Sequence, residues 1–408
     1  MTALKAFFKD GKALTEVLFL AAFTCYVIFF YLQSTTFMLQ IPGISYGIIR
    51  GVLMMCTVYR LYAFRTELSS PVKVMLAAMI GLGLFYYTSR GDFFVLDAAL
   101  VMGGAVNVSF KKIGIVYVYT GAFISLLALV ASQTGIIPDY VFQTNYGEGD
   151  RIRHSFGIIY PTDFYAHLFY LAIIYFFIRW KRVTYLEIAL ASAIFAVAYH
   201  YTSARVDMIG AVIMLLVIFV CKISGFKEIK VKEGFKKVLV SLFMPVCALA
   251  ITVLTYIYNP ENPRFYVLDS KMSYRLSLGK TGMGLYGFKL FGNAGFAENG
   301  NANGGIRNYT YVFYDSAYIK YLFKYGMVLL IVLFVVYALI GIRLTKQKMF
   351  YGCLFLGIIA VSYIIEHHML ELSYNITLLL LTSDISTILQ LRAPININNK
   401  NDIMSKTT

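Results

Sequence analysis

Long apolar stretches recur from one end of this chain to the other, separated by short polar segments. About 20 apolar residues make an α-helix long enough to cross the hydrocarbon core of a bilayer. The composition supports this interpretation, because 59% of the 408 residues are hydrophobic and only 14% are charged, against about a quarter charged in soluble chains. No polar stretch is long enough to form a core of its own. We therefore predict an all-α, polytopic integral membrane protein in which residues 1–408 form a single membrane domain.

The hydropathy pattern predicts about twelve transmembrane helices. The first follows Lys5, Lys9 and Lys12 and resembles a signal sequence. It lacks a clear small-x-small cleavage site, so we expect it to be retained as a helix. The expected spans lie at approximately 15–33, 41–63, 72–88, 93–110, 113–134, 161–179, 184–201, 206–224, 238–257, 317–342, 349–366 and 369–391.

The polar segments between these spans alternate in charge. Lysine and arginine concentrate in every second segment, at residues 5–12, 60–73, 111–112, 179–182, 222–237 and 343–348 and in the C-terminal tail. Short cytoplasmic segments of membrane proteins carry this excess, so we predict an inner-membrane protein with both termini in the cytoplasm. Because these segments account for most of the net charge of +15, no nucleic-acid partner is expected.

Two long loops are predicted on the side facing away from the cytoplasm, at about 135–160 and 258–316. Connections much beyond about 15 residues are uncommon in compact proteins and are often functional. Both loops contain cations and tyrosines, and only 292–308 has the composition of a flexible Gly/Asn segment. Tyrosines there either form an interfacial belt or stack on sugar rings. We expect any active site to lie on these loops.

Arg205 is the most unusual of the external cations, because it lies in a very short turn, YHYTSARVDMIG. Insertion disfavours cations in short external segments, whereas long loops are partly exempt. Asp207, two residues on, points to a different face of a helix and is not a simple partner. Snorkelling at the membrane edge is the alternative explanation. A functional Arg205 would suit a phosphate or diphosphate, which guanidinium groups bind through paired hydrogen bonds.

The outer loops carry no DxD-like acidic pair, and the five cysteines form no CxxC pair. We therefore expect no metal and no other cofactor, with clustered arginines stabilising the charge of a leaving diphosphate. Glu366, His367 and His368 are expected to form an ordinary solvated turn.

Four segments of the chain resemble one family. RIRHSFGIIYPTDF, residues 151–164, looks like the Arg-x-Ser-x-Gly and Pro-Asn signature of the O-antigen polymerase and O-antigen ligase superfamily. YTSARVDMIG resembles its Ser-Arg turn, and MSYRLSLGKTGMGLYGFKLFGNAGF resembles its arginine-containing large-loop segment. YVFYDSAYIKYLFKYGMV resembles the return of that loop into a helix. Two departures are Asp163 in place of the usual Asn and an irregular spacing from Arg275 to Gly287.

The resemblance implies that Arg153, Arg205 and Arg275 contact the pyrophosphate of a polyprenyl-linked glycan donor. Ligases of the superfamily carry His where this chain has Asp315, which favours a polymerase. Asp315 is expected to act as general base, to pair with a loop arginine or to cap the following helix. The catalytic set is then Asp315, Arg205 and Arg275. The predicted substrate-binding residues are Arg151, Arg153, His154, Tyr160, Tyr274, Arg307 and Tyr314.

The function implied is that of a polysaccharide polymerase, a membrane glycosyltransferase that moves an undecaprenyl-pyrophosphate-linked oligosaccharide onto a lipid-linked repeat unit at the outer leaflet. Membrane lipid, a flippase and a chain-length regulator are the expected partners. The alternatives are a ligase that uses another acceptor, a twelve-helix secondary transporter and a non-catalytic scaffold. The chain shows no inverted repeat of the kind common in transporters.

Overall fold

The computed structural model describes residues 2–145, 150–226, 231–298 and 312–389. Its helices are α1 (Thr2–Gln33), α2 (Gly43–Ala63), α3 (Ser70–Arg90), α4 (Phe94–Gly104), α5 (Phe110–Gln133), α6 (Pro161–Arg179), α7 (Tyr185–Thr202), α8 (Arg205–Ile223), α9 (Glu233–Ile257), α10 (Pro263–Lys271), α11 (Arg275–Tyr286), α12 (Ala317–Lys324), α13 (Met327–Lys346), α14 (Phe350–Ser362) and α15 (Ser386–Leu389). Strands β1 (Val141–Asn145) and β2 (Asp150–His154) form an antiparallel hairpin.

Eight helices in the described part of the chain are long and apolar enough to cross a membrane. They are α2, α3, α5, α6, α8, α9, α13 and residues 11–33 of α1. The prediction of an all-α, multi-pass membrane protein is confirmed at this level.

The bundle has two opposite ends, at which the helices begin and finish. At one, which we call the basic end, Arg60 of α2 donates through Nε to the carbonyl of Val106 at 2.8 Å. At the other, which we call the loop end, Arg153 of the hairpin donates through Nε to the carbonyl of Thr202 at 2.7 Å. The segments predicted to be external meet at the loop end.

The predicted span at 93–110 is a shorter helix than expected. Helix α4 has 11 residues, and residues 95–104 are all buried. Small residues allow its backbone to approach neighbouring helices closely, since a Cβ on Gly83 of α3 would lie 2.6 Å from Cα of Leu96. Helix α4 therefore lies in the interior of the bundle, and its apolar composition alone does not show that the helix is shorter than the predicted span.

The predicted helix at 317–342 is broken between α12 and α13. Gly326 has φ +86°, and the residues directly after it hydrogen-bond to residues 289–290 of the preceding loop. Met327 N donates to Lys289 O at 3.0 Å and Val328 N donates to Leu290 O at 3.0 Å. A Cβ on Gly326 would lie 2.4 Å from Leu290 O, so only glycine fits there.

The predicted helix at 369–391 is also wrong. Residues 372–383 are buried in irregular backbone that contains a short 3₁₀ helix, Thr377–Leu381. Arg343 of α13 donates through Nη1 to the carbonyls of Leu380 and Leu381 at 2.7 and 2.9 Å. Non-helical backbone is tolerated at membrane depth only where protein groups satisfy it, and the half-buried Arg343 does so for these two carbonyls.

Candidate functional site

A polar cavity of about 770 Å³ lies at the loop end of the bundle. Its walls come from the β-hairpin, the start of α6, the turn between α7 and α8, the segment joining α10 to α11, and the turn after α14. Its charged lining residues are Arg153, Arg205, Lys271, Arg275, Asp163, Asp207, Asp315 and Glu366. The three arginines that the resemblance assigns to a pyrophosphate therefore line one cavity, although they are far apart in sequence.

The loops that carry Arg153 and Arg205 are held together by backbone contacts. Successive side chains of a strand point to opposite faces, and in β2 Arg153 lines the cavity while His154 does not. The bond from Arg153 to Thr202 ties the hairpin to the end of α7. Ser203 then adopts φ +49°, which ends α7 and allows α8 to begin at Arg205. The amino terminus of α8 thus contributes its positive dipole to the cavity.

Arg275 is fixed at the first residue of α11. The carboxylate of Asp269, which is 1% exposed, accepts from Leu276 N at 2.8 Å and satisfies the start of this helix. Arg275 itself donates through Nε to Ile365 O at 3.1 Å and through Nη1 to Met272 O at 3.0 Å. These contacts orient the guanidinium before any ligand arrives.

Asp315 pairs with Arg275, with 3.0 Å between Oδ2 and Nη2. The cap of α12 is Ser316, so the alternative that Asp315 caps this helix is wrong. Of the other two predicted roles, the structure contains the pairing with a loop arginine. The Asp315 carboxylate in this ion pair helps to fix the orientation of the Arg275 guanidinium.

A second carboxyl group of the cavity belongs to a turn that was expected to be solvated. Glu366 is only 4% exposed and His368 only 1% exposed, so that expectation is wrong. Glu366 hydrogen-bonds Asp207 of α8, which is itself 5% exposed. Burial and the neighbouring Asp207 raise the pKa of Glu366 well above its usual range. Glu366 is therefore the member of the pair that holds a proton at neutral pH.

The same turn faces a second cavity of about 220 Å³, which shares Asp163 and His367 with the first. His368 Nδ1 lies 2.7 Å from Glu371, and its Nε2 lies 3.5 Å from Glu366. Burial lowers the pKa of His367 well below its usual range, so this ring is neutral.

The rings of Tyr31, His167, Tyr374 and His368 stack in sequence, with centroids 3.7, 3.7 and 3.5 Å apart. This stack of four rings holds the turn after α14 against the first half of the bundle. The ligating atoms of Glu366, His367 and His368 lie within 4.8 Å of one another, a spacing that a cation can bridge. Because the Glu366 and His368 side chains already bond Asp207 and Glu371, we interpret the group as a hydrogen-bonded network.

Two predicted aromatic residues do line the cavity, Tyr160 and Tyr274. Tyr160 lies between the hairpin and α6, and burial raises the pKa of its hydroxyl to about 12. Its hydroxyl therefore remains a hydrogen-bond donor throughout the physiological range. Tyr274 has φ +63° and is 42% exposed at the start of α11, where its ring is available to a ligand.

Two other predicted ligand residues lie elsewhere. His154 points away from the cavity and bonds Asp139, with 2.7 Å between Nδ1 and Oδ2. Tyr314 is 2% exposed and packs against Phe323, with ring centroids 5.4 Å apart. Neither His154 nor Tyr314 lines the cavity, so the structure does not bring these two predicted substrate-binding residues together with the arginines.

The last two predicted ligand residues are Arg151 and Arg307. Arg151 lies in β2 opposite Thr144 of β1. Arg307 lies outside the residues that the structure describes. Asp207 and Glu366 were missed as a pair. Asp207 could have been selected because it lies two residues from Arg205 in the sequence. Nothing in the sequence shows that Glu366 is buried beside Asp207.

Comparison of the chain with protein-family models, with curated proteins and with solved structures gave no match. The resemblance to the O-antigen polymerase and ligase superfamily therefore remains a prediction.

Proposed function

We propose that the protein is a polysaccharide polymerase that transfers a glycan from undecaprenyl pyrophosphate onto a lipid-linked repeat unit. The observation that supports this proposal is the convergence of Arg153, Arg205 and Arg275 on one cavity of about 770 Å³. Three guanidinium groups on separate elements match the charge and the hydrogen-bond acceptors of a diphosphate. The amino terminus of α8 adds a positive dipole at the same place.

The proposed reaction is a direct displacement with inversion. The hydroxyl oxygen of the acceptor sugar attacks the anomeric carbon of the donor and forms the new glycosidic bond. The bond from that carbon to the phosphate oxygen breaks, and its electron pair leaves with the lipid diphosphate. Arg205 and Arg275 stabilise the charge that develops on the leaving group. Tyr160 and Tyr274 contact the sugars, and the step requires no metal.

The proposed topology places this cavity on the side away from the cytoplasm. The eight long apolar helices, together with α4, α7 and α14, make eleven crossings, and the buried irregular segment after Glu371 makes the twelfth. The basic end then faces the cytoplasm of a bacterial cell, which is the side where the charge pattern predicts both termini. A lipid-linked substrate reaches the cavity from the outer leaflet, after a flippase has delivered it.

The test is lengthening of purified lipid-linked repeat units by the purified protein in proteoliposomes. We expect a ladder of products, unchanged by EDTA and lost in Arg205→Ala and Arg275→Ala. Arg264→Ala is the matched control, because Arg264 is an exposed arginine of α10 that does not line the cavity. Transfer of finished glycan to a different lipid acceptor without a ladder would instead indicate a ligase, and no transfer by the wild type would refute both.

A further inference from the structure

The proposed reaction releases a proton, because the acceptor hydroxyl loses its hydrogen as it forms the new bond. Four carboxyl groups line the cavity, on α6 (Asp163), on α8 (Asp207), before α12 (Asp315) and after α14 (Glu366). Asp315 and the pair formed by Asp207 and Glu366 have different surroundings, and we use these differences to decide which of the three accepts the proton.

Asp315 is poorly placed to be the acceptor. Its Oδ2 lies 3.0 Å from Nη2 of Arg275, and the side chain of Arg275 is only 9% exposed. Protonating Asp315 would remove the negative partner of a largely buried guanidinium, at the moment when that guanidinium has to hold the diphosphate. Asp315 therefore suits a role in orienting Arg275.

Asp207 and Glu366 are arranged differently. They are 5% and 4% exposed, they hydrogen-bond each other, and both line the cavity. Two buried carboxylates in contact would repel each other strongly, so one of the two carboxyl groups keeps a proton that the pair shares. Glu366 holds it, because burial and Asp207 raise its pKa. Asp207 then accepts the hydrogen bond from Glu366 and keeps its negative charge.

The position of Glu366 is fixed from several sides. Its backbone oxygen accepts from Ala317 N at 3.1 Å, and its Oε2 lies 3.5 Å from His368 Nε2. His368 is in turn bonded to Glu371 at 2.7 Å. The charged groups that face Glu366 are Asp207, Arg275, Asp315 and Asp163. These contacts hold the Glu366 side chain where it can donate a hydrogen bond to Asp207. Arg275, Asp315 and Asp163 are the other charged groups near it.

We propose that Asp207, held by protonated Glu366, is the general base of the transfer, and that Asp315 is a positioning residue for Arg275. This inference rests on the proposed function. As the acceptor oxygen bonds to the anomeric carbon, its proton passes to a carboxylate oxygen of Asp207. The electron pair of the broken bond leaves on the diphosphate, which the arginines hold. Asp207 later returns the proton to water, and Glu366 keeps its own proton throughout.

The experiment is the pH dependence of transfer by the purified protein in proteoliposomes, with undecaprenyl-pyrophosphate-linked repeats as both donor and acceptor. We expect a bell-shaped profile for the wild type. Its acid limb follows protonation of Asp207, and its alkaline limb follows loss of the proton from Glu366, which places a second negative charge beside the diphosphate. Asp207→Asn should lower kcat by about 10²- to 10⁴-fold, the usual contribution of a general base, and leave the KM for the donor within a few-fold of the wild type.

Glu366→Gln separates the two members of the pair. Glutamine keeps a donor towards Asp207 but cannot ionise, so this variant should retain the acid limb and lose the alkaline limb. Asp315→Asn should raise the KM for the donor and leave both limbs in place. Asp207→Glu, which keeps a carboxylate, should restore part of the activity if the role is chemical.

Several results would overturn the assignment. A near-normal kcat in Asp207→Asn, with thermal stability like that of the wild type, would exclude Asp207 as base. Loss of the acid limb in Asp315→Asn would identify Asp315 as the base instead. If Asp207→Asn unfolds, failure of Asp207→Glu to restore any activity in a folded protein would also count against it. A wild-type protein that makes no product refutes the proposed function itself, which is a different outcome from an active protein that is indifferent to these substitutions.

Discussion

Replacing Arg275 by lysine asks whether the cavity depends on the shape of this cation as well as on its charge. Arg275 contacts Asp315 at 3.0 Å, Ile365 O at 3.1 Å and Met272 O at 3.0 Å through three different nitrogen atoms. A lysine ammonium carries its donors on one atom and cannot span partners in three directions. We expect Arg275→Lys to lose at least two of these contacts while keeping the positive charge.

The magnitude follows from the number of bonds lost. Without the guanidinium fork, the paired hydrogen bonds proposed to the diphosphate are also lost. A hydrogen bond from a charged donor contributes about 1.5 kcal/mol, so losing two of them costs about 3 kcal/mol, or about a hundredfold in kcat/KM for transfer at about 1.4 kcal/mol per tenfold. The measurement is the rate of lengthening of lipid-linked repeats, with inhibition by free pyrophosphate as an independent test of binding.

Arg264→Lys is the matched control, since Arg264 is exposed on α10 and does not line the cavity. This control should match the wild type in both measurements. If Arg275→Lys also stays within about threefold of the wild type, less than 1 kcal/mol by the same conversion, the guanidinium is only a source of charge and the geometric argument is refuted.

Three further predictions concern stability and are measured by thermal or denaturant unfolding in detergent. Gly326→Ala should destabilise the protein by at least about 2 kcal/mol, because an L side chain is strained at positive φ and would also collide with backbone. The control is Gly284→Ala, at an exposed position in α11 with open space around it. This control should be neutral or stabilising by about 0.5–1 kcal/mol. Since the pKa of Glu366 is raised in the folded protein, its contribution to stability is complete below about pH 4 and declines as pH rises towards the raised value; Glu366→Gln should flatten that decline, and an unchanged slope would contradict the buried pair. Arg343→Met should cost about 1–3 kcal/mol by leaving the carbonyls that Arg343 satisfies without a donor; a stable variant would show that other groups or water reach them.

The membrane class of the fold could be predicted from hydropathy because the relevant signal is local. A run of apolar residues reports on the length of one helix. Seven predicted spans are found as long apolar helices, and an eighth, 317–342, is found in part as α13. The failures lie where tertiary contacts override the local pattern. Helix α4 is as apolar as a membrane span but is buried, and its backbone lies close to Gly83 of α3. Helices α12 and α13 are separated at Gly326, where the backbone of the preceding loop packs against this glycine.

The candidate site was predictable in part for a similar reason. Arg205 is conspicuous because insertion disfavours cations in a short segment predicted to be external, whereas Arg153 and Arg275 were selected through the resemblance. Their common cavity depends on contacts between distant segments, such as the bond from Arg153 to Thr202. His154 was misassigned because adjacent residues of a strand face opposite sides, and the hairpin that separates them was not predicted.

The irregular segment after Glu371 connects the error in the fold to the chemistry of the site. A transmembrane helix there would leave the preceding turn at a solvated helix end, where Glu366 would ionise. The observed chain instead continues as buried backbone, and Tyr374 stacks on His368 with centroids 3.5 Å apart. This contact holds the turn down against the bundle, which buries Glu366 beside Asp207. Backbone without helical hydrogen bonds is costly within a bilayer unless protein groups satisfy it. The presence of such backbone next to the cavity is explained if the function requires the geometry it imposes, a buried carboxyl pair in a cavity that three arginines also line.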